Sequence, residues 1–408
     1  MISVDEARAR IAATLSPGPV VTLPLLDAQG RVLAESVTAS ISLPSFDNSA
    51  MDGYAVHARD LQGASESHPV LLPVAMEAAA GAGSLPELQP GTCCRIMTGG
   101  PMPPGADAVV KIEETAVVDG RVRFVQPAPK GEHVRRMGED LRAGDRVLEP
   151  GMRLTPSRLA LLAAIGKAEV TVHAAPRVGI LTTGNELVPP GTPLQPGQIY
   201  DSNAIAMAAL VAEAGATPVL LGVVSDDRDA TRRLLRDAAH CDVLMTSGGV
   251  SMGAYDYVSE ALRDLGDVHF EQVAQQPGKP LTYATIGGKP AFGLPGNPVS
   301  TRVCFEVYVR PALRRLMGHT QAERQRVTVV MKEAAPKRQG LTTFLRAIVT
   351  PGAEGLEARL AGAQASNMLQ AMARANALLW VPAERSGLEV GDRVEALLLD
   401  GAMEEGAC

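Results

Sequence analysis

The sequence predicts a multidomain α/β-plus-β protein, with a central doubly wound, mostly parallel α/β domain between two β-rich regions. Three observations carry this. Apolar runs alternate with helical stretches between about residues 178 and 317. Short extended runs divided by Gly and Pro fill the first third, and extended runs return after Gly318. A chain of 408 residues is long enough for roughly two to three domains.

The chain opens with an amphipathic helix. Ser3 precedes Glu6 at the capping-box spacing, and Val4, Ala7, Ile11 and Leu15 share one face. Ser16-Pro17-Gly18-Pro19 stops it. Extended runs follow at 70–74, 108–112, 117–118 and 122–125. Asp119-Gly120, between the last two, reads as a tight hairpin turn. A helix over 157–165 has Pro156 at its start, where proline is tolerated. The pattern then changes. Strands at 178–181, 219–224, 243–246 and 291–294 are each followed by a polar or glycine loop and a helix. Those helices run over 202–214, to about 239, to about 265 and, after Pro295-Gly296-Asn297-Pro298, to about 317. This alternation predicts a parallel sheet covered on both faces. Ligands of such sheets bind beyond the carboxyl ends of the strands. Runs at 327–331, 343–349, 378–382 and 394–399 predict a small all-β domain. Gly144-Asp145-Arg146-Val147 and Gly391-Asp392-Arg393-Val394 share a turn-into-strand signature, read as common turn chemistry. Residues 401–408 read as a loose tail.

Composition excludes several classes. The net charge is -7 and only 3% of residues are aromatic, which argues against a nucleic-acid partner. No apolar run approaches the ~18–20 residues of a membrane helix, and no secretory signal is visible. Cys93, Cys94, Cys241, Cys304 and Cys408 include no C-x-x-C and read as free thiols in a reducing cytoplasm. The histidines lack metal-ligand spacing, and neither G-x-S-x-G nor a Walker A string occurs.

Four loops hold the candidate chemistry. In Thr246-Ser247-Gly248-Gly249-Val250-Ser251-Met252-Gly253, adjacent glycines let backbone N–H groups approach an anion, and the next helix adds its dipole. Asp256 follows at that helix start. Thr182-Thr183-Gly184-Asn185-Glu186-Leu187 sends the Glu186 carboxylate toward the same crevice. Asp226 and Asp227 end a strand, and either serves as a hard-cation ligand or as a helix N-cap. Carboxylates converging beside a phosphate loop suggest Mg²⁺. The fourth loop joins Pro277-Gly278-Lys279-Pro280 with Pro295-Gly296-Asn297-Pro298-Val299-Ser300. Lys279 is a point charge for an oxyanion or a solvated surface lysine, and Ser300 an anion-facing hydroxyl or a simple cap. Taken alone, the turn-rich stretches 45–54 and 95–107 read as structural. Arg135-Arg136 with Glu139-Asp140 reads as a salt-bridged face of little weight.

Six strings run in order along nearly the whole chain: S-F-D-N-S-A-M-D-G-Y-A-V, R-I-M-T-G-G-P-M-P-P-G-A-D-A-V-V, T-T-G-N-E-L, S-G-G-V-S-M-G, P-G-K-P and G-L-P-G-N-P-V-S. Together they resemble the molybdopterin molybdenumtransferase family, which includes MoeA and the E domain of gephyrin. The middle unit alone also resembles the smaller adenylyltransferase family that acts one step earlier. The resemblance implies a discontinuous N-terminal domain (1–45 and 141–174), a β-rich domain inserted in it (46–140), an α/β molybdopterin-binding domain (175–322) and a C-terminal β-barrel (323–408). It implies Mg²⁺-dependent insertion of molybdate into adenylylated molybdopterin, with cleavage of the phosphoanhydride and release of AMP. It also implies a cytoplasmic homodimer whose cleft joins the α/β domain of one subunit to N-terminal motifs of the other. Transient contacts with the adenylyltransferase and with molybdoenzyme maturation proteins follow from the same resemblance.

Carried over by residue, Asp52, Thr98 and Asp140 match the family's N-terminal catalytic positions. Glu186, Asp226 (with Asp227 beside it), Ser251 and Asp256 match the α/β loops, the carboxylates as metal ligands and Glu186 and Asp256 also as catalytic groups. Ser247, Gly248, Gly249, Gly253, Pro295, Gly296 and Asn297 fall in the substrate-binding strings. Lys279, Ser300, Arg346 and Ser366 match positions near the molybdate. The chain also departs from the pattern. Relatives often carry a basic residue shortly before P-G-K-P and an acid after S-G-G-V-S-M-G, where this chain has Gln272, Gln276 and Ala254. The alternatives are a tungstate-preferring paralogue, an adenylyltransferase-like enzyme or a non-catalytic scaffold.

Overall fold

A computed structural model of the chain describes residues 1–225, 227–250, 257–353 and 355–399. The opening helix spans Val4–Ala13, and Ser3 Oγ accepts the Glu6 N–H at 3.1 Å. Only half of the capping box forms, because the Glu6 carboxylate pairs with Arg10 at 2.6 Å instead. The buried face of this helix, Val4, Ala7 and Ile11, joins the core of the α/β domain.

Val20–Pro24 pairs antiparallel with Glu169–His173, and Val37–Thr38 with Arg146–Leu148. Early and late pieces of the first 174 residues thus share one core, in which Leu33, Leu148, Leu162 and Val172 are buried. Between them lies a six-stranded sheet. Its hairpin Thr115–Val118 and Arg121–Phe124 turns at Asp119 and Gly120, with φ 49° and 73°. Two positive φ values make the primed turn that matches strand twist. The two G-D-R-V turns are also alike. Asp145 Oδ2 accepts the Arg142 N–H at 2.9 Å, and Asp392 Oδ2 accepts the Glu389 N–H at 3.0 Å.

The α/β domain has six strands: β1 (Arg177–Thr183), β2 (Thr217–Val224), β3 (Val243–Ser247), β4 (Asp267–Gln272), β5 (Pro280–Ile286) and β6 (Lys289–Leu294). Their order is β2-β1-β3-β6-β5-β4. The first four are parallel, while β5 and β4 form an antiparallel edge absent from the sequence reading. Side-chain alternation sorts the residues into two layers. Ile180, Met245 and Leu294 face the helix Ser202–Glu213 and the helix that starts at Pro298. Leu181, Leu244 and Ala291 face the layer of Arg228–Asp237 and Tyr257–Leu265.

The long helix expected from 298 is not uniform. Pro298–Cys304 is α-helical, Phe305–Val309 is a π turn, and Arg310–Leu316 is α-helical again. Pro311 accounts for the break, since it has no N–H to give and its ring crowds the preceding turn. Glu306, buried on the π turn, pairs with Arg302 at 2.9 Å and with Arg324 at 2.8 Å. Arg324 also pairs with Glu213.

Beyond Arg324 five strands close into a barrel: Thr342–Gly352, Gly355–Leu360, Arg326–Met331, Arg393–Leu398 and Ala377–Val381, which returns to the first. Phe344, Leu378 and Leu397 pack it onto the α/β core. The short strand Gln275–Gln276 adds in parallel to Thr342 and Thr343, so an α/β loop becomes part of the barrel sheet. Trp380 lies between Arg8 and Arg326, whose guanidinium carbons are 5.5 and 4.1 Å from its ring centroid. Among the described residues, no helix is long and apolar enough to cross a membrane.

Candidate active site

Two clefts meet at the carboxyl edge of the parallel strands. The first, about 660 Å³, lies between the P-G-K-P loop, the 298 helix and the barrel. Its lining includes Lys279, Lys337, Arg338 and Arg346 and, among the described residues, no carboxylate. The second, about 480 Å³, lies over the ends of β1, β3 and β6, with Thr182, Glu186, Asp201, Asn203 and Ser247 in its wall. Asn297 lines both clefts, and the chain neighbours Ser366 and Asn367 line one each.

The P-G-K-P loop reaches this edge because β5 runs backwards. Thr282 pairs with Gly293 and Pro280 with Gln272, so the start of β5 lies beside the ends of the parallel strands. Gly278 has φ 88°, and a Cβ there would stand 2.5 Å from Cys304 Sγ and 2.8 Å from Gln275 Nε2. Only glycine fits. Beside it, the Lys279 ammonium is exposed and has no partner among the described residues. The Ser300 residue is 4% exposed, and its hydroxyl likewise has no partner among them.

Arg346 is fully buried in the barrel wall. Its Nη2 donates to the carbonyls of Ala363 and Ala365, each at 3.0 Å, while its Nε has no partner among the described residues. Burial lowers its pKa to about 10, which leaves it charged at neutral pH. Lys337 is committed elsewhere, donating to Pro382 O at 2.6 Å and Arg385 O at 2.7 Å. Arg338 is exposed at the mouth without a partner among the described residues. Among the described residues, Lys279, Arg338 and Arg346 therefore stand without a carboxylate, beside the hydroxyls of Ser300 and Ser366. That set suits a tetrahedral oxyanion.

The second cleft is chemically different. Ser247 Oγ accepts Asn203 Nδ2 at 2.8 Å and donates to Pro295 O at 3.1 Å. Asn203 Nδ2 also donates to Gly296 O at 2.7 Å, tying β3 to the 295–298 turn. Asp201 accepts the Thr182 hydroxyl at 2.6 Å and the Ala204 N–H at 3.0 Å. At Gly184, φ is 145°, and a Cβ would stand 2.5 Å from Glu186 Oε2. Glycine thus lets the Glu186 carboxylate fold back over its own loop, where it has no partner among the described residues. Gly248 and Gly249 have φ 94° and 66°. A Cβ on Gly248 would stand 2.6 Å from Thr183 Oγ1, so these glycines let the β3 and β1 loops touch.

Of the residues singled out from the sequence, Lys279, Asn297, Ser300, Arg346 and Ser366 come together in the first cleft. Glu186, Ser247, Gly296 and Asn297 come together in the second, with Pro295 buried beneath it. Asp227 is an N-cap, with Oδ1 accepting the Ala230 N–H at 2.6 Å. Asp226, Ser251, Gly253 and Asp256 lie outside the described residues. Asp52 and Thr98 meet each other away from both clefts. Asp52 Oδ1 accepts the Thr98 N–H and hydroxyl, each at 2.7 Å. Those bonds hold Asp52 below the usual carboxylate range. Asp140 is exposed and lines neither cleft. Arg136 pairs with Asp47 at 2.7 Å, while Glu139 accepts its backbone N–H rather than its guanidinium. Among the described residues, no group of three or more His, Cys, Asp or Glu is arranged to hold a metal.

Sequence reasoning missed Arg338, Gln275 and Asn203. Arg338 and Gln275 fall in none of the singled-out strings, and Asn203 reads as the first turn of a helix. The available signal was the polar triple Asp201-Ser202-Asn203, which opens the helix after β1 at the strand edge.

Residues 2–166 match the MoeA N-terminal region (domain I and II), 179–315 a probable molybdopterin binding domain, and 328–399 the MoeA C-terminal region (domain IV). The chain is 44% identical over 402 residues to molybdopterin molybdenumtransferase 2 of Mycobacterium tuberculosis, covering 97% of this chain and 99% of that one. It is 38% identical over 404 residues to the molybdopterin molybdenumtransferase of Bacillus subtilis, covering 98% and 94%. A crystal structure of a molybdopterin biosynthesis MoeA protein from Pyrococcus horikoshii matches with TM-score 0.85 at 32% identity, covering 98% of this chain and 100% of that one. Sequence and backbone agree over nearly the full length, and the chain belongs to the molybdopterin molybdenumtransferase family.

Proposed function

We propose that this transferase of molybdenum cofactor biosynthesis inserts molybdate into adenylylated molybdopterin, with cleavage of the phosphoanhydride and release of AMP. One observation carries the anion assignment: the first cleft gathers cations and hydroxyls and, among the described residues, no carboxylate. The chain as a whole is acidic, so this positive charge is local. Lys279 and Arg338 bind the dianion at the mouth. Arg346 holds it at the wall, where low solvation strengthens the attraction. Ser300 and Ser366 donate hydroxyls to the remaining oxygens. Adenylylated molybdopterin lies in the second cleft, with its phosphates at the 246–249 and 295–298 turns. Asn297, shared by both clefts, marks where dithiolene and molybdate meet.

Mg²⁺ takes few protein carboxylates and completes its shell with water and substrate phosphates. The partnerless Glu186 carboxylate on the second cleft fits that sparse demand. Asp201 commits both oxygens to hydrogen bonds and Asp227 commits one. Bound there, the ion supplies neutralisation of the phosphoanhydride oxygens.

The same reading divides the chain after residues 45, 140, 174 and 322. It pairs two chains as a homodimer in which Asp52, Thr98 and Asp140 of one subunit serve the clefts of the other. Their position outside the clefts of their own chain supports this. The buried free thiols of Cys93, Cys94, Cys241 and Cys304 favour a reducing cytoplasm. Transient contacts with the adenylyltransferase and with maturation proteins complete the reading.

The test uses purified protein, adenylylated molybdopterin and Mg²⁺, with AMP followed by chromatography. Molybdate-dependent AMP release is expected. Ligand that binds without release overturns the reading. Faster release with tungstate reassigns the anion.

A further inference from the structure

The two walls of the first cleft belong to different domains, yet an oxyanion needs them at a fixed spacing. One buried chain of hydrogen bonds links them. Tyr308, on the π turn Phe305–Val309, donates its hydroxyl to Gln275 Oε1. Gln275 is 0% exposed, and its Nε2 donates to Pro277 O at 3.0 Å and Gly278 O at 3.1 Å. Those are the two carbonyls immediately before Lys279. The Lys279 carbonyl in turn accepts the Val273 N–H at 3.0 Å. The backbone of Gln275 pairs with Thr342, on the barrel strand that carries Arg346. On the same π turn, Glu306 holds Arg324, in the connection to the barrel.

We propose that Gln275 and Tyr308 are positioning residues that set the spacing between Lys279 and Arg346, and so the affinity for the oxyanion. Only a side chain with both a donor and an acceptor serves this role. Methionine or leucine at 275 would leave the buried Pro277 carbonyl without its donor and the Gly278 carbonyl with only the weak Cys304 thiol donor at 3.6 Å. The π turn matters because one extra residue turns the following side chains by about 100° relative to a continuous α-helix. That rotation lets Tyr308 and Glu306 serve the two walls from one turn. The proposal rests on the reading of the first cleft as the molybdate site.

The test uses the full-length protein, with molybdate binding measured by calorimetry and turnover by AMP release. Tyr308→Phe removes one oxygen and keeps the ring. It is expected to raise KM and Kd for molybdate about threefold to tenfold, the range of one lost hydrogen bond. The kcat and the KM for adenylylated molybdopterin are expected to hold within about twofold, while the melting temperature falls by a few degrees because Gln275 Oε1 loses its buried donor. Gln275→Met is expected to weaken molybdate further, and adding Tyr308→Phe to it should do no more, because both break one chain. Lys279→Ala runs alongside. Unchanged molybdate binding in Lys279→Ala overturns the cleft assignment itself. If Lys279→Ala weakens molybdate while Tyr308→Phe and Gln275→Met alter only stability, or all kinetic parameters alike, the positioning role is overturned and the cleft stands.

Discussion

The two clefts share Asn297 and differ in almost everything else. The first has cations without counter-charge among the described residues, one of them fully buried. The second has hydroxyls, amides and two carboxylates, most of them already hydrogen-bonded to each other or to the backbone. A third pocket sharpens the contrast. About 360 Å³ in volume, it holds Arg31, Arg153 and Arg314, but the carboxylates Asp27 and Glu213 line it too. Arg31 donates to Gly215 O at 3.3 Å, and Arg314 donates to His319 Nδ1 at 3.0 Å. Two carboxylates and, for Arg31, a carbonyl at a helix C-terminus answer positive charge there. Arginine count therefore does not mark an anion site. Positive charge that nothing in the fold answers does.

The largest expected effect separates the two clefts. Glu186→Gln should lower AMP release about a hundredfold or more while molybdate affinity holds, since loss of a metal ligand removes several kcal/mol of transition-state stabilisation. An equal loss in calorimetric molybdate binding would merge the clefts into one site. Next, Lys279→Ala should raise the KM for molybdate about tenfold to a hundredfold, the range of a charge-assisted bond, with the KM for adenylylated molybdopterin unchanged. Asn203→Ala removes its bonds to Ser247 Oγ and Gly296 O, leaving Ser247 only its own bond to Pro295 O. It should raise the KM for adenylylated molybdopterin about threefold to tenfold and leave molybdate alone. Arg153→Ala, in the third pocket, should change both KM values less than about twofold, within the scatter of ordinary surface substitutions.

That pocket also carries a pH signature. Burial and then Arg314 lower His319 from 6.5 to about 4, so the fold favours neutral imidazole. Its contribution to stability is complete above pH 6.5, is lost as pH falls toward about 4, and changes no further below that. The melting temperature should decline across that window, and His319→Gln should flatten the decline.

Much of the α/β domain was legible in the sequence. β1, β2, β3 and β6 announce themselves because strands buried on both faces read as apolar runs between polar tips. β4 and β5 do not, because V-H-F-E-Q and L-T-Y-A-T mix polar with apolar residues toward a sheet edge. The C-terminal barrel was expected only through the family resemblance and not from local pattern, since its closure depends on pairing Thr342–Gly352 with Ala377–Val381 across an intervening strand and helix. In the site, Lys279 and Ser300 sit in loops that signal themselves by Gly and Pro. Arg346 sits mid-strand in F-L-R-A-I-V, where a charge reads as solvent-facing. Its burial depends on the carbonyls of Ala363 and Ala365, which no local pattern reveals. Asp227 left cap and ligand equally open from the sequence, and in the structure its Oδ1 makes the cap bond by accepting the Ala230 N–H.

Trp380 is the only tryptophan in the chain and stacks between Arg8 of the opening helix and Arg326 of the barrel. Its fluorescence therefore comes from a single known joint. Release of the opening helix would take one cation off the indole and change emission intensity and wavelength, with no dye attached. The protein carries a built-in optical gauge of whether its two ends remain docked.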